Sequence, residues 1–337
     1  MIKGRFVLID AFALIFRAFY ALPALTNKEG VQLNAAYGFT SALLAAIKTL
    51  EPEYLACGFD LPKPTKRHIE YVEYKAHRAP VPEDLMTQVP YVREILKAMN
   101  IPVFAVEGYE GEDVIASIIK QTANRLQTTA EKAVVGGRSS VSEFIIVTGD
   151  LDCLQLVDKQ TKVYSMARGV NQAVMYDEAK VRERYGLAPK QFVDFKALKG
   201  DPSDNIPGVP GIGEKGAINL IQKFGSLENL YQALNPKSEA RNPKQILNEE
   251  NDKKISKTIN ISEKLLILLK ENREQAFLSQ KLSKIVDDVP LEFNLADAKI
   301  HDYDQQKVIA LLNKLGFKSL IARLPDSHRQ DNQQKLL

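Results

Sequence analysis

Short apolar runs punctuate the first half of the chain, and each leads into acidic residues. Arg5-Phe-Val-Leu-Ile9 ends at Asp10, and Tyr54-Leu-Ala-Cys-Gly-Phe59 ends at Asp60. Ile101-Pro-Val-Phe-Ala-Val106 precedes Glu110-Gly-Glu112-Asp113, and Phe144-Ile-Ile-Val147 runs into Thr-Gly-Asp150-Leu-Asp152. Unbroken runs of this length predict strands buried on both faces. Helical patterns lie between them. Ala35–Leu50 is rich in Ala and Leu, and over Pro82–Asn100 the residues Leu85, Val89, Val92, Leu96 and Met99 share one face. Gly111–Arg125 carries its acids in the first turn, as helix starts prefer. Strands alternating with helices predict an α/β fold, a parallel sheet with helices on both sides. Ligands of such sheets sit beyond the carboxyl ends of the strands, where these carboxylates fall.

The pattern changes along the chain. Gln127–Glu143, with Thr-Thr, Gly-Gly and Ser-Ser, predicts a mobile surface loop. Beyond about residue 175 the strand pattern stops. Helices are predicted over Asp177–Tyr185, Pro189–Lys199, Glu214–Phe224 with Gly225 as C-cap, Lys253–Asn272 and near Gln305–Leu315. Asn235–Asn251 is polar and predicted loose, and Asp326–Leu337 has the composition of a linker or frayed end. No internal repeat is visible.

Composition narrows the class. The chain has 337 residues, 45% hydrophobic and 26% charged, which suits a globular protein of one to three domains. No apolar run is long enough to cross a bilayer, and Met1 is followed by Ile-Lys-Gly-Arg, so the expectation is a cytoplasmic protein without a membrane. Cys57 and Cys153 imply a reduced compartment, and the four histidines show no zinc spacing with them. Net charge is +3. With so many acids clustered, the remaining surface is more basic than that total, which favours a polyanionic partner; an ordinary mixed surface is the alternative that composition leaves open.

An aspartate after a strand is usually a helix cap or a turn residue, so spacing carries the argument. Glu110 and Asp113 are three apart and can face one side of a helix start. Asp150 and Asp152 share a face in extended chain. Asp201 and Asp204 flank Pro202 in a rigid Gly-Asp-Pro-Ser-Asp-Asn turn. Gathered carboxylates repel, and oxygen-only ligand sets suit Mg2+ or Mn2+. Two such ions about 4 Å apart can activate water and stabilise the leaving oxygen of a phosphodiester without a histidine base.

Two further segments suit nucleic acid. Gly208-Val-Pro-Gly211-Ile-Gly213-Glu-Lys215 opens a helix, has the pattern of a helix-hairpin-helix element, and would grip duplex backbone. The bland alternative is a tight loop between packed helices. Lys63 to Arg78 interleaves Lys63, Lys66, Arg67, Lys75 and Arg78 with Tyr71 and Tyr74, which suits a single strand or a 5′ phosphate. A solvated helix face balanced by Glu70 and Glu73 is the alternative. Arg17 is either a phosphate contact or an ordinary surface residue.

Taken together these motifs resemble the 5′-nuclease family, flap endonucleases and the 5′–3′ exonuclease domains of bacterial DNA polymerases included. The matching stretches keep one order from about residue 5 to 325: Val-Leu-Ile-Asp10, Gly-Phe-Asp60, Tyr-Lys75-Ala-His-Arg78, Glu110-Gly-Glu112-Asp113, Thr-Gly-Asp150-Leu-Asp152, Lys-Gly-Asp201-Pro-Ser-Asp204 and Val-Pro-Gly211-Ile-Gly213-Glu-Lys215. The resemblance implies a PIN-like sheet domain over 1–185 with a helical arch near 62–100. It implies an all-helical helix-hairpin-helix subdomain over 186–285, an extension over 286–325 and a tail over 326–337.

It implies one metal around Asp10, Asp60, Glu112, Asp113 and Asp150, and a second around Asp150, Asp152, Asp201 and Asp204, with Glu110 in support. Tyr74, Lys75 and Arg78 would belong to the arch over the 5′ strand. Gly208, Gly211, Gly213 and Lys215 would hold duplex with a potassium ion, and Leu22–Gly38 would fall in a wedge that bends DNA. Two departures stand out: Glu112 where the bacterial pattern has Asp, and a longer loop over 127–143. The implied activity is magnesium- or manganese-dependent hydrolysis of DNA at 5′ flaps, nicks and junctions, and of RNA primers on DNA, in replication and repair. The implied setting is the bacterial nucleoid, as a monomer linked covalently or functionally to a DNA polymerase. The rivals are a catalytically silent DNA-junction binder of the same fold and a nucleotidyl or sugar-phosphate enzyme. The latter would want a glycine-rich loop after the first strand, where Asp10-Ala-Phe-Ala has none.

Overall fold

The computed structural model describes residues 4–130, 141–167, 169, 172–235, 249–300 and 303–325. The chain divides into two compact units. The first comprises Met1–Lys66, Ala79–Asp177 and Ile285–Leu337, and the second comprises Arg67–Arg78 and Glu178–Lys284.

The first unit is built on a six-stranded sheet in the order β3-β2-β1-β4-β5-β6. The strands are β1 Arg5–Asp10, β2 Tyr54–Gly58, β3 Val103–Phe104, β4 Glu143–Thr148, β5 Thr161–Ser165 and β6 Val174–Tyr176. Phe6, Val7, Leu8 and Ile9 are fully buried, as a central strand covered on both faces requires. The four predicted runs pair in parallel, although the run at 101–106 keeps only two ladder residues. β5 and β6 carried too little apolar continuity to be predicted, and β6 pairs antiparallel, so the sheet is mixed.

Helices cover this sheet. Ala11–Ala21 and Asn34–Leu50 pack closely because Gly38 has no side chain: a Cβ there would lie 2.6 Å from Ala18 Cβ. Leu33, at the amino end of Asn34–Leu50, offers no side-chain cap. Buried Gln88 supplies one, its Oε1 accepting from Ala35 N at 2.8 Å and Ala36 N at 3.3 Å. The single helix expected over Pro82–Asn100 is two, Glu83–Met86 and Val89–Ala98, with Pro90 in the first turn of the second. The helix from Gly111 runs to Ala130 and β4 begins at Glu143, so most of the expected loop, at 131–140, lies outside the described residues. The expected loose segment falls largely at 236–248 and the expected tail at 326–337, both also outside them.

Residues from Ile285 onward belong to the first unit. Phe293 stacks on Phe6 at 5.7 Å between ring centres and meets Phe104 edge-on at 5.5 Å. Gln305–Lys314 forms a helix whose Val308 and Leu312 are fully buried.

The second unit is helical: Glu178–Tyr185, Phe192–Lys199, Glu214–Phe224, Leu227–Leu234, Glu249–Ile259, Glu263–Glu271 and Arg273–Ser283. Leu198, Ile221, Leu230, Leu234, Leu266 and Leu269 anchor its core. The helix expected over Lys253–Asn272 is interrupted, because Asn260 takes a left-handed φ of 51° and Ser262 starts a new helix by accepting from Leu265 N. Arg67–Arg78, expected within the arch of the sheet domain, groups here instead. Buried Arg67 donates to Leu282 O at 3.1 Å and Lys284 O at 2.9 Å, a cation on the carboxyl end of Arg273–Ser283. Among the described residues no helix is long and apolar enough to cross a membrane.

Candidate functional site

In the first unit the acids collect at the carboxyl ends of β1, β2 and β4. Asp10 ends β1 and caps the next helix, its Oδ1 accepting from Ala13 N at 3.2 Å. The register sets Ile9 beside Val147, and Thr148, the next residue of β4, donates to Asp10 Oδ2 at 2.7 Å. Thr148 Oγ1 also accepts from Asp150 N at 2.9 Å, and Asp150 Oδ1 accepts from Asp152 N at 2.9 Å. The hydroxyl thus joins the end of β1 to the acidic turn after β4.

Asp60 lies two residues past β2 and accepts from Gly111 N at 3.0 Å, at the start of the Gly111–Ala130 helix. Gly58 allows that approach. A Cβ on Gly58 would lie 2.6 Å from Gly111 O and 2.8 Å from Ile115 Cγ1. The helix start therefore presses on the end of β2 and brings the Glu110–Asp113 turn beside Asp60.

The electrostatics record the crowding. Asp10 is only 6% exposed, and burial foremost, with the charge of Asp60, raises its carboxyl to about 7; Thr148 and the Ala13 amide pull it down, while Asp150 adds to the rise. The buried Cys153 thiol is pushed well above its usual range by burial and then by Glu112, Asp10, Asp150 and Asp152. One thiol thus feels carboxylates from three separate stretches of sequence. Among the described residues of this unit no three carboxylates bring oxygens all within 4.8 Å of one another. The acids share one end of the sheet yet stand apart, as like charges do.

The donor set suits a hard divalent cation. It offers carboxylate oxygens, no histidine, and a buried acid whose ionised form burial and like charges disfavour and a cation would favour. Asp113 differs from its neighbours: it is 1% exposed, with Oδ2 accepting from Glu110 N at 3.0 Å and Oδ1 from Val286 N at 2.8 Å. Arg17 lies alongside this end, its Cδ 3.9 Å from where a Cβ on Gly149 would stand.

The second unit holds the remaining residues. Asp201 and Ile206 exchange backbone hydrogen bonds at 2.9 Å, closing the Asp201–Ile206 turn. Asp201 Oδ2 accepts from Lys196 Nζ at 2.5 Å, and Oδ1 accepts from the Ser203 amide and hydroxyl. Burial, the largest influence, pushes Asp201 up; the Lys196 charge and these hydrogen bonds outweigh it and hold the acid at about 2. Asp204 accepts from Tyr74 Oη at 3.0 Å and Arg78 at 2.5 Å, with Lys75 Nζ at 3.7 Å. Tyr74, Lys75 and Arg78, expected to face nucleic acid, therefore gather on Asp204. Tyr74 is 2% exposed and packs with Ile206 and Leu282, so its ring is a core element rather than an open stacking face.

Gly208 is a packing glycine: at φ 64° a Cβ would lie 2.2 Å from Gly200 N, and its amide donates to Ser279 Oγ. Gly213 leaves open space before Lys215, and with Gly211, Ile212 and Leu265 it lines a shallow depression. Sequence reasoning passed over Thr148, Gly58 and Lys196. Lys196 alone carried a signal, a cation set among the apolar Phe195, Ala197 and Leu198.

Comparison with known proteins adds an independent line. A family model described as the 5′-3′ exonuclease N-terminal resolvase-like domain matches residues 5–186, and one described as the 5′-3′ exonuclease C-terminal SAM fold matches 187–306. DNA polymerase I of Caldicellulosiruptor bescii is 38% identical over 322 residues, 95% of this chain and 33% of that protein. The chain thus spans about a third of the length of such relatives. A structure of the bacteriophage T5 5′-exonuclease with divalent metal ions (zinc) bound has a TM-score of 0.61 at 18% identity, covering 94% of this chain and 99% of the phage protein. The flap endonuclease of the same phage, in complex with DNA and metal ions, has a TM-score of 0.58 at 19% identity over 94% and 98% of the two chains. At such identity these structures speak for the fold.

Proposed function

The chain belongs to the 5′-3′ exonuclease family, and from that premise we propose that it cuts DNA at 5′ flaps, nicks and junctions, and RNA primers paired to DNA. The observation that carries this reading is Asp10, buried at the end of β1 and raised to about 7 by burial and its acidic neighbours. A carboxylate so placed gains its charge at neutral pH when a cation shares the site.

Asp10, Asp60, Glu112 and Asp150 are the proposed holders of a divalent ion, Mg2+ or Mn2+, with Asp152 and Glu110 beside them. Such an ion supplies a Lewis acid that acidifies a water nucleophile and offsets charge on the departing oxygen. The chain's residues do the placing. Thr148 orients Asp10, Gly111 N fixes Asp60, and the Asp150 amide donates to the same Thr148 hydroxyl. Water adds to phosphorus, the bond to the 3′ oxygen breaks, and the products are a 5′ phosphate and a 3′ hydroxyl.

Arg17, Lys75, Arg78 and Lys215 are the proposed phosphate contacts, with Tyr74 bracing the arch residues through Asp204. Gly211 and Gly213 open the helix start toward duplex backbone and a potassium ion. Linkage to a polymerase, a monomeric state and a nucleoid setting belong to the same proposal.

A labelled 5′-flap duplex, incubated with Mg2+ or with a chelator, tests the reading. Cleavage is expected with the ion alone, and Asp10→Ala is expected to remove cleavage while flap binding persists. Binding without ion-dependent cleavage by the unaltered chain would instead favour the silent junction binder.

A further inference from the structure

Four side chains at four-residue spacing on one helix read the backbone of a distant segment, the strap 285–293. Along Gly111–Ala130, Asp113 Oδ1 accepts from Val286 N at 2.8 Å and Ser117 Oγ accepts from Val289 N at 2.9 Å. One and two turns further, Gln121 Nε2 donates to Leu291 O at 3.2 Å and Arg125 donates to Phe293 O at 2.5 Å. Residues four apart stack along one helix face, so these form a stripe. Its amino-terminal half offers acceptors to strap amides and its carboxyl-terminal half offers donors to strap carbonyls. Lys120 adds an ion pair to Asp287 at 2.8 Å.

Asp113 is the end of that stripe nearest the acids. Its second oxygen accepts from Glu110 N at 3.0 Å, and its carbonyl accepts from Ser117 Oγ at 2.8 Å. Asp113 is 1% exposed and Ser117 is fully buried. A buried carboxylate that loses a charge-assisted donor keeps its desolvation penalty unrelieved, so the pin is strong. The same carboxylate therefore grips the strap with one oxygen and the Glu110–Glu112 turn with the other.

We propose that Asp113 is a positioning residue rather than an ion ligand: it pins segment 285–293 to the start of the Gly111–Ala130 helix and so holds Glu110 and Glu112 in place. The pin stands on geometry alone. Its consequence for ion binding rests on the nuclease reading above.

Hydrogen–deuterium exchange on the full chain, peptide by peptide, tests the pin, with Mn2+ affinity measured by calorimetry on the same samples. Asp113→Asn is expected to speed exchange over 285–291 by about tenfold or more, the worth of one charge-assisted hydrogen bond, with a smaller loss of Mn2+ affinity. Glu112→Gln is expected to do the reverse, with wild-type strap protection and a larger loss of affinity. Ser117→Ala, a milder change suited to a folded protein, is expected to speed exchange around Val289 and leave Mn2+ affinity unchanged. Strap protection unchanged in both Asp113→Asn and Ser117→Ala would overturn the proposal. So would an Asp113→Asn protein, or failing its folding a Ser117→Ala protein, that loses as much affinity as Glu112→Gln while its strap stays protected. If the unaltered chain cuts no flap yet Asp113→Asn frees the strap, the nuclease reading fails and the pin stands.

Discussion

Thr148 Oγ1 lies 2.7 Å from Asp10 Oδ2 and donates to it across the β1–β4 pair. That hydrogen bond is the larger of two that lower the Asp10 pKa against burial and the Asp60 charge. Removing it leaves the acid easier to protonate. In Thr148→Val the rise of flap cleavage with pH is expected to set in at higher pH, and Thr148→Ser is expected to restore the original profile. A valine profile that overlays the wild type would contradict this role.

Asp10 also links ion binding to stability. Its native carboxyl titrates near 7 while its unperturbed value is 3.8, so between them the native state holds a proton that the unfolded chain has lost. The contribution to stability is complete below 3.8 and is lost as pH rises through 7. A divalent cation compensates at the upper end and competes with the proton at the lower. Mg2+ or Mn2+ is therefore expected to raise the melting temperature by several degrees at about pH 8 and by much less at about pH 5.5. Equal gains at both, by calorimetry, would remove Asp10 from the ion's surroundings.

Gly58→Ala places a methyl 2.6 Å from Gly111 O, against backbone that cannot rotate away. The helix start must move off the end of β2, at a cost of about 1–3 kcal/mol in a urea titration. Since Gly111 N is the donor to Asp60, Mn2+ affinity is expected to fall with it. A stable variant with unchanged affinity would mean that the close approach is incidental.

Lys196→Met strips the ammonium from Asp201, which lies 12% exposed in a pair only 2.5 Å long. The native acid titrates at about 2, below 3.8, so its contribution is present above 3.8 and lost as pH falls through 2. In the variant, burial acts unopposed by the cation. A loss of about 3 kcal/mol is expected in denaturant at neutral pH, shrinking toward pH 2. A loss of the same size at both ends would point to packing of the lysine stem rather than to its charge.

The sheet's strands were legible because burial on both faces leaves an unbroken apolar run, as in Phe6–Ile9 and Phe144–Val147. The last two strands were not, since Thr161–Ser165 alternates and Val174–Tyr176 is three residues long. Breaks inside long helical patterns also escaped. Pro90 is admitted at the start of a helix as readily as it interrupts one, and Asn260 gives no sign in sequence that its φ is positive.

The sequence by itself determined which residue types stand after each strand, because an apolar run followed by Asp is a local fact of the chain. Only the tertiary structure decided what each acid does there. Asp10 and Asp113 are both aspartates beside helix starts, yet one meets Thr148 amid like charges and the other meets two backbone amides, one from 173 residues downstream. Charge state and hydrogen-bond partners depend on what the fold brings within a few ångströms, and neighbours so distant in sequence leave no trace in local pattern.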